Sequence, residues 1–157
     1  MKWDYEFDVV VVGSGNGALT SAICSHDGGA KTLVIEKSDQ YGGTSATSGG
    51  GVWIPNNRYA KAEKVDDSDQ DARDYINSVS PEGKIKDELV ETYIAEGPKM
   101  IDYLHENSQV KYRNLAHYPD YFPDNPGGKA GNRSMEPEPI KGTELGDDLG
   151  RLRGQHP

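Results

Sequence analysis

The chain opens as an α/β fold, with a parallel sheet and a helix laid against it, and three features predict this. A β-branched run, "FDVVVV" at 7–12, ends in a glycine turn, "GSGNGA" at 13–18. A stretch of helical periodicity follows, and then a second apolar run, "KTLVIE" at 31–36. Strand, glycine turn, helix and strand within about 30 residues form the first half of a mononucleotide-binding unit.

After Phe7 and Asp8, Val9 to Val12 is apolar without alternation, the pattern of a parallel strand buried on both faces. In the helix, Ala18, Leu19, Ala22 and Ile23 share a face, and "HDGGA" at 26–30 supplies its stop. Cys24, on the same helix, is expected to be a small buried residue. The run from Lys31 to Glu36 is the second strand. Tyr41 to Asn57, "YGGTSATSGGGVWIPNN", is rich in glycine and small hydroxyl residues, then turns apolar. Trp53 and Ile54 would anchor that end, which argues against a flexible linker.

Helices are expected over 58–110. Ser68 and Asp71 form a capping pair ahead of Ala72, Tyr75, Ile76 and Val79 at helical spacing. Leu89, Val90, Tyr93 and Ile94 continue the pattern from Ile85 to Glu96, where Gly97-Pro98 predicts an interruption. Pro98 then opens a further helix through Met100, Ile101 and Leu104. From Lys111 onward, prolines and glycines predict irregular structure, since Pro119 to Pro157 holds six of the nine prolines. The whole chain, 1–157, reads as part of one domain divided into 1–57, 58–110 and 111–157.

Composition narrows the partners. The net charge of -9 argues against non-specific binding to nucleic acid or anionic lipid, both of which need basic surface. The longest purely apolar run, Val9 to Val12, is far short of a membrane span, and "MKWDYEFD" has no signal-peptide character, so a cytoplasmic location is expected. Leu, Ile, Val and Phe make up roughly 18% of residues, a thin core. His26, His105, His117 and His156 are scattered without ligand spacing, and no metal site is expected. The acidic run "DDSDQD" at 66–71 reads as a loop and helix start.

"GSGNGA" fits the dinucleotide pattern G-x-G-x-x-G/A in its proper context, between strand and helix. Gly13 makes the turn, Gly15 lets backbone approach a pyrophosphate, and Ala18 keeps helix and sheet close. Glu36, 21 residues after Gly15, ends the second strand where an acidic residue accepts from a ribose hydroxyl. Its charge disfavours a 2'-phosphate, leaving FAD and NAD open. FAD needs more backbone than one such unit supplies, and Thr44, Ser45 and the amides of Gly49, Gly50 and Gly51 are candidate donors.

Three segments, "DVVVVGSGNGALTSAI", "LVIEKSDQYGGTSATSGGGVWIPNN" and "YPDYFPDNPGGKAGNRSMEPEPIKGTELG", resemble the FAD-dependent 3-ketosteroid dehydrogenases of the fumarate reductase and succinate dehydrogenase flavoprotein superfamily. The match is to their N-terminal part and spans nearly the whole chain. It implies the start of a Rossmann-like FAD-binding domain, followed by helices and a Pro/Gly-rich segment on the substrate side. Gly13, Ser14, Gly15, Asn16, Gly17 and Ala18 would lie under the FAD pyrophosphate, with Glu36 at the adenosine ribose and Lys37 also among the cofactor-binding residues. Gly43, Thr44 and Ser45 would meet the pyrophosphate again, and Ser48, Gly49, Gly50 and Gly51 would approach the isoalloxazine.

Tyr121 in "PDYF" matches the tyrosine that, in this family, assists a second tyrosine in removing a proton from steroid C2 while flavin N5 takes a hydride from C1. Phe122 departs from the family's more usual second tyrosine. The resemblance also implies that most catalytic groups lie outside these 157 residues. The chain is then a fragment or subunit of a flavin oxidoreductase acting on a 3-ketosteroid or related cyclic ketone, completed by further sequence or a second chain. A non-catalytic nucleotide-binding remnant and an NAD-binding module are the other readings. Δ1 and Δ4 dehydrogenation both remain open.

Overall fold

The computed structural model describes residues 3–154, and His156 lies outside them. Two compact units emerge, one comprising residues up to Gly50 together with those from Ile140 onward, the other running from Gly51 to Pro139.

In the first unit, β1 (Val9–Val12) and β2 (Thr32–Ile35) pair in parallel with Val9 opposite Thr32 and Val12 opposite Ile35. Helix α1 (Asn16–Asp27) joins them and packs on both strands. Gly28 ends α1 and Gly29 follows at φ +86°, the glycine stop expected of "HDGGA". Burial departs from expectation. Val10 and Val12 are 52% and 77% exposed, because α1 covers one face of the strands and no layer covers the other among the described residues. Helix α1 likewise has no buried residue, and Cys24 is exposed rather than buried. Beyond Ile140, a 3-10 segment (Gly142–Arg151) returns the chain to Tyr41, whose N–H donates to Arg151 O at 2.9 Å and whose carbonyl accepts from Arg153 N at 2.9 Å.

The second unit contains the apolar core. Its antiparallel sheet has the order β3 (Val52–Trp53), β5 (Ser134–Pro137), β4 (Tyr112–Asn114). Regular structure therefore persists beyond Lys111, where irregular chain was expected. The proline-rich segment between β4 and β5 is a connection, and Pro137 occupies the last position of β5. Helices α2 (Arg58–Ala62), α3 (Asp69–Val79) and α4 (Asp87–Asn107) complete the unit. Ser68 caps α3 as expected, accepting from Asp71 N at 3.0 Å and donating to its carboxylate at 2.8 Å.

Helix α4 is continuous through Gly97-Pro98, where an interruption was expected. Pro98 removes one i to i-4 hydrogen bond, but Val90, Ile94, Gly97, Ile101 and Leu104 form one buried stripe that packing holds in line. Gly97 is fitted to that stripe, since a Cβ there would stand 3.2 Å from Ile54 Cδ1. Ile54, Ile101 and Met135 make one cluster, and Ala72, Val90 and Ile94 another. No helix among the described residues is long and apolar enough to cross a membrane.

Candidate functional site

The glycine turn is built for close approach. Gly13 adopts φ +99°, which only glycine takes without strain, and its N–H donates to Ile35 O at 2.7 Å, joining the turn to the end of β2. Gly15 is the N-cap of α1, with Asn16, Gly17 and a half-buried Ala18 in the first turn. The first N–H groups of a helix have no intrahelical acceptor and concentrate its positive dipole end. No acidic residue stands in that turn, and a Cβ built on Gly13 or Gly17 meets nothing within 4 Å. Open, positively polarised backbone of this kind can receive a diphosphate.

Ser14 joins three segments there. Buried to 3% exposure, its hydroxyl donates to Glu36 Oε2 at 2.5 Å and accepts from Gly42 N at 2.9 Å. Ser38 N donates to the other Glu36 oxygen at 3.1 Å. The Ser14 hydroxyl first, and the Ser38 amide second, hold the Glu36 carboxyl below its usual range. Each carboxylate oxygen retains a further lone pair, so Glu36 can still accept from ribose hydroxyls. Lys37, beside it, is exposed.

The second glycine segment closes on the first. Gly43–Thr47 forms a 3-10 turn in which Ser45 Oγ accepts from Asn16 N at 3.0 Å, placing a hydroxyl at the first amide of α1. A Cβ on Gly43 would stand 3.5 Å from Gly15 Cα, so the two glycine backbones nearly touch. Gly13 to Ala18, Glu36, Gly43 and Ser45 are thus brought together. Thr44 is exposed. Ser48 Oγ accepts from Gly50 N at 3.1 Å and shapes the exit of the segment, with Gly49 exposed. Gly51 already belongs to the second unit, where a Cβ would lie 3.6 Å from Met135 O. Sequence reasoning missed Gly42, whose φ of +105° and N–H to Ser14 make this junction. A glycine pair in a glycine-rich run carried no sign of which member would be buried.

Tyr121 lies in the second unit, 84% exposed on the loop between β4 and β5. Its neighbour Asp120 is buried, accepting from Trp53 Nε1 at 2.6 Å, Arg133 Nη1 at 2.9 Å and Lys129 N at 3.0 Å. Arg133, 1% exposed, also pairs with Asp67 at 2.6 Å and lies over the Trp53 and Tyr75 rings at 5.4 and 5.8 Å. This charged core was not legible beforehand. Asp67 falls in the acidic run read as loop and helix start, and 66 residues separate it from Arg133.

The match to known proteins follows this geometry. The family model described as "FAD binding domain" matches residues 8–156. The chain is 42% identical to the 3-oxosteroid 1-dehydrogenase of Mycolicibacterium smegmatis, over 92% of this chain and 25% of that protein. It is 38% identical to the 4-oxocyclohexanecarboxylate 2-dehydrogenase of Sinomonas cyclohexanicum, over 91% of this chain and 25% of that one. Among solved structures, 3-ketosteroid delta1-dehydrogenase from Sterolibacterium denitrificans, in complex with 1,4-androstadiene-3,17-dione, matches with a TM-score of 0.89 and 41% identity, covering 96% of this chain and 26% of that one. The chain spans about a quarter of the length of the curated relatives it matches. With a glycine turn, an anchored acidic strand end and a second glycine segment closing on both, this chain belongs to the FAD binding domain family.

Proposed function

We propose that this chain is the dinucleotide-binding part of a flavin-dependent dehydrogenase acting on 3-ketosteroids or related cyclic ketones. The observation that carries the reading is the junction of Ser14, Glu36 and Gly42 beneath an open helix N-terminus, in a chain 42% identical to a 3-oxosteroid 1-dehydrogenase. In this reading Gly13, Ser14, Gly15, Asn16, Gly17 and Ala18 cradle the pyrophosphate through backbone, with Ser45 and Gly43 beside them. Glu36 accepts from the adenosine ribose. Ser48, Gly49, Gly50 and Gly51 border the flavin ring, and Lys37 and Thr44 flank the nucleotide. FAD supplies the hydride acceptor when bound.

Tyr121 is the group this chain brings to substrate. A ketone acidifies the adjacent C–H, and a phenol with an ordinary pKa of about 10 removes that proton at neutral pH only when its phenolate is stabilised by hydrogen bonding. In this reading the Tyr121 hydroxyl donates that bond to a second phenol outside these residues. The test is an absorbance spectrum of the purified chain before and after addition of FAD and desalting. A retained, shifted flavin spectrum supports the reading, and FAD lost on desalting, with a poorly cooperative thermal melt, means that the glycine-rich backbone awaits the remaining sequence. In the enzyme completed by its remaining sequence, Tyr121→Phe should lower turnover while leaving flavin content unchanged.

A further inference from the structure

We propose that Asp120 and Arg133 are positioning residues for Tyr121, holding the loop that presents its phenol. The proposal rests on the reading of Tyr121 as a substrate-side residue. Its physical content is the contrast between a side chain that is 84% exposed and a backbone pinned on both sides of it. On the N-terminal side, Asp120 N donates to Lys129 O at 3.0 Å while Lys129 N donates to Asp120 Oδ2 at 3.0 Å, closing the loop on itself. On the C-terminal side, Phe122 N donates to the Tyr75 hydroxyl at 3.3 Å.

The loop also has no slack. A Cβ on Gly127, at φ +72°, would fall 2.0 Å from Asp71 O, and one on Gly128 would fall 2.4 Å from Pro123 O. Beneath it, Arg133 binds Asp120 with one arm of its guanidinium and Asp67 with the rest, so Asp120 is tied to the start of α3 through a buried ion. Burying three charges disfavours folding unless their geometry is satisfied, and apolar replacement often stabilises such clusters. An exposed loop without a task does not require this arrangement. A loop that must hold one phenol in a narrow range of positions does.

The comparison of Asp67→Asn with Asp120→Asn separates positioning from support, because each weakens one carboxylate contact to Arg133 but only Asp120 adjoins Tyr121. With 3-fluorotyrosine placed at position 121 of the full chain, the 19F resonance should change little in Asp67→Asn, whose link to Tyr121 runs only through Arg133 and Asp120. It should shift or broaden in Asp120→Asn, with both variants folded by near-ultraviolet circular dichroism. Equal responses in the two, or none in Asp120→Asn, overturn the proposal. Should Asp120→Asn fail to fold, Trp53→Phe removes the indole hydrogen bond to Asp120 while keeping an aromatic ring beside Arg133 and Tyr75, and should move the same resonance; an unmoved resonance overturns it equally. This readout needs neither flavin nor steroid, so it stands apart from the turnover test of Tyr121.

Discussion

Ile101 and Met135 in the second unit are wholly shielded from solvent, whereas among the described residues of the unit that carries the glycine turn Ser14, at 3% exposure, is the most shielded side chain. Every buried apolar residue among those described, from Ile54 to Met135, belongs to the second unit. The first is joined by hydrogen bonds, from Ser14 to Glu36, Gly42 to Ser14 and Asn16 to Ser45, and its strands leave Val10 and Val12 in water. The first unit has a two-stranded sheet with one helix packed on it, in a chain that spans about a quarter of its curated relatives' length, so less apolar surface is buried there than in its neighbour. The second unit can bury three charges because they are paired, Arg133 with both Asp67 and Asp120, and the remaining Asp120 contacts come from Trp53 Nε1 and Lys129 N.

Arg133→Met should sharpen this contrast most. It leaves Asp67 and Asp120 buried without their cation and should destabilise the second unit by about 3–5 kcal/mol, read as an early loss of the Trp53 near-ultraviolet signal. FAD at about 100 times its Kd should stabilise the first unit by roughly 2.7 kcal/mol, slowing amide exchange in α1 and β1 more than in α4. Equal slowing in both would break the distinction. Ser14→Ala removes one hydroxyl that serves Glu36 and Gly42 together, and should weaken FAD binding by about 1–3 kcal/mol with the core of the second unit unchanged by near-ultraviolet circular dichroism.

Acid should act on both units. The carboxyls of Glu36, Asp71 and Glu91 are held low, by the Ser14 hydroxyl, the Lys129 ammonium and the Arg73 guanidinium respectively. Groups with depressed pKa values contribute stability that is fully present above the unfolded pKa and lost as pH falls through the folded one. Denaturant midpoints should therefore hold near neutrality and decline below about pH 4, less steeply in Ser14→Ala, which lacks the largest influence on Glu36. Cys24→Ser should change least, within about 0.5 kcal/mol, because the thiol is exposed rather than packed between helix and sheet.

What was legible in the sequence follows from local rules. Gly13 after "VVVV" and before a helical pattern marked the turn, and the observed φ of +99° is the reason a glycine stands there. Ser68 three residues before Asp71 marked the start of α3 for an equally local reason. Pro98 misled because its penalty belongs to one turn of helix, whereas the stripe from Val90 to Leu104 draws on contacts from a different part of the chain. Cys24 misled because small size allows burial but does not enforce it.

The residues alone determined the parallel strand pair, the helix between them, the acidic end of the second strand and, through resemblance, FAD as cofactor. These are set by steric freedom and hydrophobic period over a few neighbouring positions. Only the tertiary structure decided that Ser14 would face inward to Glu36 and Gly42, and that Arg133 would join Asp67 to Asp120 beneath Tyr121. A charge enters a protein interior only where other segments deliver its counterions and aromatic neighbours, and that delivery depends on the path of the whole chain.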